Sequence, residues 1–193
     1  MLRQMSGVFI GAFFGTVFVV TNAHAPLTPV VGTALRVLAV AVFAGLLALA
    51  VLAARRGAPA PATPADAADA ADAGAPRADW FGGKFGFVVA AEVVLLIGGN
   101  LALRRAGAPA QTAVAWTALI VGVHFLALTS VWQRRSVAVP GAALSALGAA
   151  GLGMAATSAV AWVPFVSGVL SGVALLGGCA WAIAQAYRSA ARV

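Results

Sequence analysis

Charged residues are scarce in this 193-residue chain, and acidic residues are the scarcest, since five Asp or Glu stand against twelve Lys or Arg. Charged residues make up 9% of the sequence and apolar residues 62%, whereas a soluble domain carries about 25% charged residues. A soluble fold of this length has too little polar surface to cover so many apolar side chains. The composition therefore excludes an ordinary soluble domain and indicates an integral membrane protein.

Cysteine is also nearly absent. Cys179 is the single cysteine, and it lies within an apolar run, so the chain cannot form an internal disulfide or a cluster of thiolate ligands. The net charge is +7, but the basic residues stand singly or in pairs at the ends of apolar runs and form no basic patch. We therefore expect the lipid bilayer as the surroundings, and no nucleic-acid partner, metal or cofactor.

Apolar segments occupy most of the chain, and each is close to the roughly 20 residues with which a helix crosses the hydrocarbon layer. They lie at about 7–25, 30–54, 85–103, 112–132, 138–157 and 160–187. A helix satisfies its own backbone hydrogen bonds in lipid, and continuous apolar runs lack the alternation of a barrel strand. The sequence therefore predicts an all-α, polytopic transmembrane helical bundle of about six helices.

The predicted organisation has two helical parts and one loop. Residues 1–56 form transmembrane helices 1 and 2, and residues 80–193 form transmembrane helices 3 to 6. Between them, residues 57–79 form a flexible, cytoplasmic loop rich in Ala, Pro and Asp, because they contain too few large apolar side chains to fold.

The first apolar segment also has features of a secretory signal peptide. Arg3 precedes the apolar stretch, and the small residues Ala23 and Ala25 follow it. Pro26 directly after Ala25 disfavours cleavage there. We expect the segment to remain as a helix, with a removed signal peptide as the alternative.

The basic residues predict the orientation of the bundle, because cytoplasmic loops carry an excess of Lys and Arg. If the N-terminus lies inside, Arg104 and Arg105 are the two basic residues in the outer connections. Arg36 lies near the outer end of segment two, where its long side chain can reach the headgroups. We predict that both termini face the cytoplasm and that the protein lies in the inner or plasma membrane. The nine cytoplasmic basic residues are Arg3, Arg55, Arg56, Arg77, Lys84, Arg134, Arg135, Arg188 and Arg192.

Small residues recur at every fourth position in three segments. Such stripes let helix backbones approach closely, which matters because lipid supplies no hydrophobic force between helices. We predict that these segments pack tightly, either within one chain or against a second copy or a membrane partner. The residues are Gly7, Gly11 and Gly15; Gly141, Ser145, Ala149 and Gly153; and Gly168 with Gly172.

One acidic residue, Glu92, is intramembrane, and a buried charge in this position usually faces the bundle interior and finds a partner. Counted from the cytoplasmic ends of segments three and four, Glu92 and His124 lie at depths of about 10 and 12 Å. The same arithmetic places Asn100 level with Thr117. We therefore predict a polar seam between segments three and four.

Three interpretations of the seam remain open. Glu92 and His124 form a buried clamp that fixes helix register, or they form a proton relay or solute-binding site, since intramembrane Glu and His often line ion and substrate routes and His titrates near neutral pH. A metal site is the least favoured, because it needs more ligands than two.

Residues 85–92 (FGFVVAAE) and 120–128 (IVGVHFLAL) resemble a pattern found in small, uncharacterised multi-pass proteins of bacteria. The resemblance covers segments three and four. It implies a six-helix protein of the bacterial inner membrane and assigns no reaction to it.

Three functions follow as hypotheses. The first is small-solute or proton-linked transport through the seam at Glu92 and His124, extended by Asn100 and Thr117. The second is an accessory or structural membrane subunit, and the third is an intramembrane enzyme in which Glu92 acts as a general acid on a lipid-soluble substrate. No catalytic residue is assigned.

Overall fold

The computed structural model describes residues 2–55, 82–132 and 137–190, and the predicted loop at 57–79 lies outside them. These residues form α-helices at all six predicted segments and no strand. The helices are α1 (Leu2–Asn22), α2 (Pro29–Arg55), α3 (Gly83–Arg105), α4 (Thr112–Trp132), α5 (Ala138–Ala155) and α6 (Leu170–Ala190).

Five stretches of helix are long and apolar enough to cross a membrane: Pro29–Leu49, Gly83–Arg105, Thr112–Val131, Ala138–Ala155 and Ser158–Ala184. The apolar helix Val8–Asn22 within α1 is shorter. The predicted all-α transmembrane bundle is confirmed. The orientation and the particular membrane stay predictions.

The sixth segment differs from the predicted continuous helix. It begins with a 3₁₀-helix, Ser158–Trp162, continues as a π-helix, Pro164–Val169, and only then becomes α6. Pro164 has no backbone N–H to donate, and the N–H of Leu170 donates to the carbonyl of Phe165, five residues earlier. The extra residue in this turn brings Ser167 and Gly168 into the packed interior, where both are buried.

The helices pack as an open row in the order α3, α4, α5, α6, α1, α2. The most extensive contact joins α4 to α5, and the next joins α1 to α6. At one end of the row α3 packs chiefly against α4 and has no buried residue. At the α3–α4 turn, Gly107 takes the left-handed conformation, with φ of 69°, which favours glycine and is common after the last residue of a helix. Thus α3 is a peripheral helix supported on one side.

The contact between α1 and α6 is formed by glycine. A Cβ atom added to Gly15 would lie 2.9 Å from the carbonyl oxygen of Gly172, and one added to Gly11 would lie 3.1 Å from the sulfur of Cys179. Gly168 packs against the side chain of Asn22. These glycines are used for packing inside the chain. The contacts of Gly7 lie outside the described residues, and binding of a second copy or partner stays a prediction.

The predicted stripe of α5 is only partly correct. Gly141 packs against Gly122 and Leu126 of α4, and Ser145 also touches Gly122, but Gly153 meets no neighbour within 4 Å. Ala149 is exposed. Each step of four residues turns about 40° round a helix, so three steps carry Gly153 away from α4. The glycines that complete this contact are Gly148 and Gly151.

Candidate functional site at the α3–α4 interface

Glu92 of α3 and His124 of α4 lie in contact, as their predicted depths require. The Nδ1 atom of His124 is 3.2 Å from Oε2 of Glu92. The side chains are 12% (His124) and 18% (Glu92) exposed, so they lie at the margin of the interface. Because α3 and α4 are neighbours in an antiparallel hairpin, residues that lie at equal depth and also face the shared interface come side by side.

The contact is electrostatic in character. The two atoms are at ion-pair distance, but Nδ1 of His124 makes no hydrogen bond with acceptable angles. The attraction of His124 to Glu92 is therefore that of an ion pair only when the imidazole is protonated.

This arrangement can hold one proton in two ways. A proton on Glu92 leaves both groups neutral, and the same proton on His124 leaves a carboxylate beside an imidazolium. The summed charge of the pair is zero in both states, which limits the cost of keeping these groups inside a membrane. Loss of that proton leaves an unpaired carboxylate, and gain of a second leaves an unpaired imidazolium. The pair is chemically suited to exchange protons singly.

Asn100 and Thr117 do not extend the contact. The amide nitrogen of Asn100 donates to the carbonyl of Leu96 at 2.8 Å, and the hydroxyl of Thr117 donates to the carbonyl of Ala113 at 2.8 Å. Each bond stays within its own helix, a pattern by which helical Asn, Ser and Thr satisfy their donors locally. The structure thus joins Glu92 to His124 and does not join Asn100 to Thr117.

Trp116 supplies a cross-helix link that the sequence reasoning missed. Its indole Nε1 donates to the carbonyl of Leu95 on α3 at 3.0 Å. The ring occupies the space that a side chain on Gly99 would need. A signal was available, because Gly98 and Gly99 interrupt an apolar span at the depth where the facing helix carries its tryptophan.

A second set of buried polar side chains lies where α1 and α5 pack against the π-helix. The hydroxyl of Ser167, with no exposed surface, donates to the carbonyl of Leu147 at 2.8 Å. Gly151 leaves the room that this side chain occupies. Asn22 is buried against Gly168 and donates to the carbonyl of Phe18 at 2.8 Å. The hydroxyl of Ser167 therefore joins the π-helix to α5, whereas Asn22 bonds within α1 and meets the π-helix only through its packing against Gly168.

Two shallow surface grooves among the described residues each follow a single helix, and neither is lined by Glu92 or His124. One, of about 750 Å³, follows α2 from Pro29 to Ala41. The other, of about 410 Å³, follows α3 from Leu96 to Arg104. In the described ranges no three His, Cys, Asp or Glu side chains come together as metal ligands would. The enzyme hypothesis therefore gains no substrate cavity from these two grooves.

Comparison of the chain with models of protein families, with curated proteins and with solved structures gives no match, so the site has to be interpreted from its own chemistry.

Proposed function

We propose that this chain is a membrane transport protein in which Glu92 and His124 exchange a proton, either as the transported ion or in exchange with a small solute. One observation carries the proposal: a carboxylate and an imidazole within membrane-spanning helices lie 3.2 Å apart. Two such groups can exchange a proton, which a pure register clamp does not require.

The position of α3 in the row supports the same function. Its residues are not buried, so a displacement of α3 along or away from α4 disturbs little of the packed interior. A change in the proton content of the pair alters the attraction between the two helices, since an unpaired charge in a membrane is unfavourable. Proton exchange is thereby coupled to the position of α3, and movement of a peripheral helix is one means of exposing a site alternately to the two sides.

The experiment is proton entry into vesicles that contain the purified full chain and a trapped pH-sensitive dye. A potassium gradient with valinomycin provides the driving force. We expect proton entry above the rate of protein-free vesicles. We expect Glu92→Gln and His124→Gln each to return entry to that rate, because each variant keeps only one titratable group and the two side chains can no longer pass a proton between them. Wild-type entry at the protein-free rate would contradict transport of the proton alone, and full entry through Glu92→Gln would contradict a role for the pair in either form of transport.

His24 offers a matched control. It is the other histidine of the chain, it is exposed, and it lies in the connection between α1 and α2. His24→Gln makes the same chemical change as His124→Gln away from the pair, and we expect it to keep the wild-type rate. An equal loss in both histidine variants would show that the effect does not come from the α3–α4 interface.

A further inference from the structure

Two polar contacts join α3 to α4 at neighbouring levels of the hairpin. One is the pair of Glu92 and His124, and the other is the indole of Trp116 against Gly99. On α3 the two positions are seven residues apart, or about 10 Å, and fall on the same face of the helix. On α4 they are eight residues apart, or about 12 Å. The spacings match, so one alignment of α3 along α4 satisfies both contacts.

The Trp116 contact fixes this alignment more tightly than the pair does. The indole donates to the carbonyl oxygen of Leu95 at 3.0 Å, and this acceptor is a backbone atom that moves only with α3 itself. The ring also fills the space beside Gly99, where a Cβ atom would collide with it. A tryptophan side chain has two torsions, whereas the carboxylate of Glu92 lies beyond three and can follow a displaced helix.

The pair tolerates little displacement of α3 before it must rearrange. An ion pair needs its nitrogen and oxygen within about 4 Å, and Nδ1 of His124 is already 3.2 Å from Oε2 of Glu92. A slide of α3 by one residue moves its backbone about 1.5 Å along the axis, and α3 has no buried residue to resist it. The bond from Trp116 to Leu95, one turn from Glu92, is well placed to prevent this slide.

We propose that Trp116 is a positioning residue for proton exchange between Glu92 and His124. Its indole, bonded to Leu95 and seated on Gly99, holds α3 in the register in which the carboxylate and the imidazole meet. The role in exchange rests on the transport function proposed above. The effect on the geometry of the pair is measurable without transport.

The imidazole of His124 reports the geometry of the pair. The chain has two histidines, so His24→Gln leaves His124 as the source of imidazole nitrogen resonances from the full chain, observed in lipid nanodiscs across a pH series. α5 and the π-helix, which also pack against α4, contain no titratable side chain, and Glu92 is the titratable group in contact with the imidazole. Glu92→Gln then gives the resonances of His124 without its carboxylate.

In this background, we expect Trp116→Phe to move the His124 resonances part of the way toward those of Glu92→Gln, because phenylalanine has no donor to hold α3 in one register. Thr117→Val removes a hydroxyl that bonds within α4, and its resonances should coincide with the reference. A general loss of stability reduces the folded fraction and leaves the resonances of folded chains in place. Resonances of Trp116→Phe that coincide with the reference would overturn the proposal.

Gly99→Ala tests the same contact from α3. The added methyl displaces the indole, so the His124 resonances should move as they do in Trp116→Phe, whereas Gly98→Ala, whose Cβ meets nothing within 4 Å, should leave them in place. The double variant of Gly99→Ala and Trp116→Phe should show less than the sum of the two shifts, because both changes break one contact. Full additivity would assign the shifts to separate causes and contradict the proposal.

Proton entry into vesicles separates this proposal from the transport function. With wild-type entry above the protein-free rate, we expect Trp116→Phe to lower entry about two- to tenfold, the effect of one hydrogen bond on an equilibrium, and Thr117→Val to keep it. An unchanged rate in Trp116→Phe would contradict the positioning role. If the wild-type chain admits no protons, transport of the proton alone is contradicted, and the His124 resonances still decide whether Trp116 positions the pair.

Discussion

The contact between α1 and α6 and the contact between α3 and α4 use polar and small residues in opposite ways. Between α1 and α6, Gly15 and Gly172 bring backbones together, and beside this contact Asn22 is enclosed against Gly168 of the π-helix. Between α3 and α4, Glu92 and His124 meet at a margin that remains partly exposed. The α1–α6 interface is held chiefly by close packing, and the α3–α4 interface is held chiefly by a few polar contacts.

This difference matters because lipid supplies no hydrophobic force between helices. An interface with less close packing depends more on its polar contacts, and those contacts respond to protons and to hydrogen bonding. The α1–α6 contact is made by backbone packing at Gly15 and Gly172, and it has one cross-helix hydrogen bond, from the thiol of Cys179 to the carbonyl of Val8 at 3.3 Å. We therefore expect the two interfaces to respond differently to matched substitutions.

The largest effect is expected from Gly172→Ala in the α1–α6 contact. The added methyl would lie 2.7 Å from Cγ2 of Val19, and the backbone of Gly15 is also in its way. Overpacking of this kind costs about 1–3 kcal/mol, and neither helix can move aside without disturbing the buried residues around it. The free energy of unfolding in detergent micelles is the measurement.

Gly177→Ala is the matched control for that change. Gly177 lies in the same helix, and a Cβ atom there meets nothing within 4 Å. We expect its stability to be unchanged or raised by up to about 1 kcal/mol, since alanine favours helix more than glycine. Equal destabilisation by the two substitutions would show that α1 and α6 are not in close contact.

A smaller effect is expected from Gly99→Ala in the α3–α4 hairpin. The new methyl collides with the indole of Trp116, but α3 has no buried residue and can shift. The expected loss is that of one hydrogen bond, about 0.5–1.5 kcal/mol, because the indole N–H no longer reaches Leu95. The indole N–H resonance of Trp116, assigned with Trp116→Phe, should move.

The adjacent residue controls that experiment, since a Cβ atom on Gly98 meets nothing within 4 Å. Gly98→Ala should leave the Trp116 resonance in place. If Gly99→Ala instead destabilises the chain as much as Gly172→Ala does, α3 is fixed as firmly as α6, and the contrast between the interfaces fails.

Much of the fold was predictable because an apolar run of about 20 residues has few alternatives in lipid. The six helices lie where hydropathy placed them. The interruption at Pro164 was missed, because hydropathy averages over a window and does not register the loss of one backbone donor. The error at Gly153 has another cause, since a four-residue repeat drifts round the helix, whereas real contacts alternate between steps of three and four.

The candidate site was predictable only in part. The depth of each residue within its helix predicted that Glu92 lies beside His124, because two antiparallel helices joined by a short turn cross the same depths of the membrane. Depth carries no information about the direction of a hydrogen bond, so Asn100 and Thr117 were placed level and yet bond to their own helices. The link from Trp116 to Leu95 depends on a glycine across the interface, which no pattern within a single helix reveals.

The contact between Glu92 and His124 is expected to contribute a modest coupling energy. In a double-mutant cycle of Glu92→Gln and His124→Gln, we expect about 0.6 kcal/mol, the typical value for polar contacts between membrane helices, with about 1.7 kcal/mol as the upper range. Unfolding free energies of the four proteins give the coupling. If the pair is a proton relay, Glu92→Gln abolishes proton flux while the free energy of unfolding changes only by an amount of this size. A loss of flux that follows a large loss of stability instead indicates a clamp.

The smallest effect is expected from Thr117→Val, which removes a hydroxyl and keeps the side-chain volume. The hydroxyl bonds to Ala113 in its own helix, so the substitution leaves no cross-helix partner unsatisfied, and the change in unfolding free energy should stay within about 0.5 kcal/mol. Trp116→Phe, one residue away, removes a donor that does cross to α3 and should cost more. If Thr117→Val is the costlier of the two, the hydroxyl serves the interface after all, and the polar contacts of the hairpin extend further from Glu92 than its hydrogen bonds indicate.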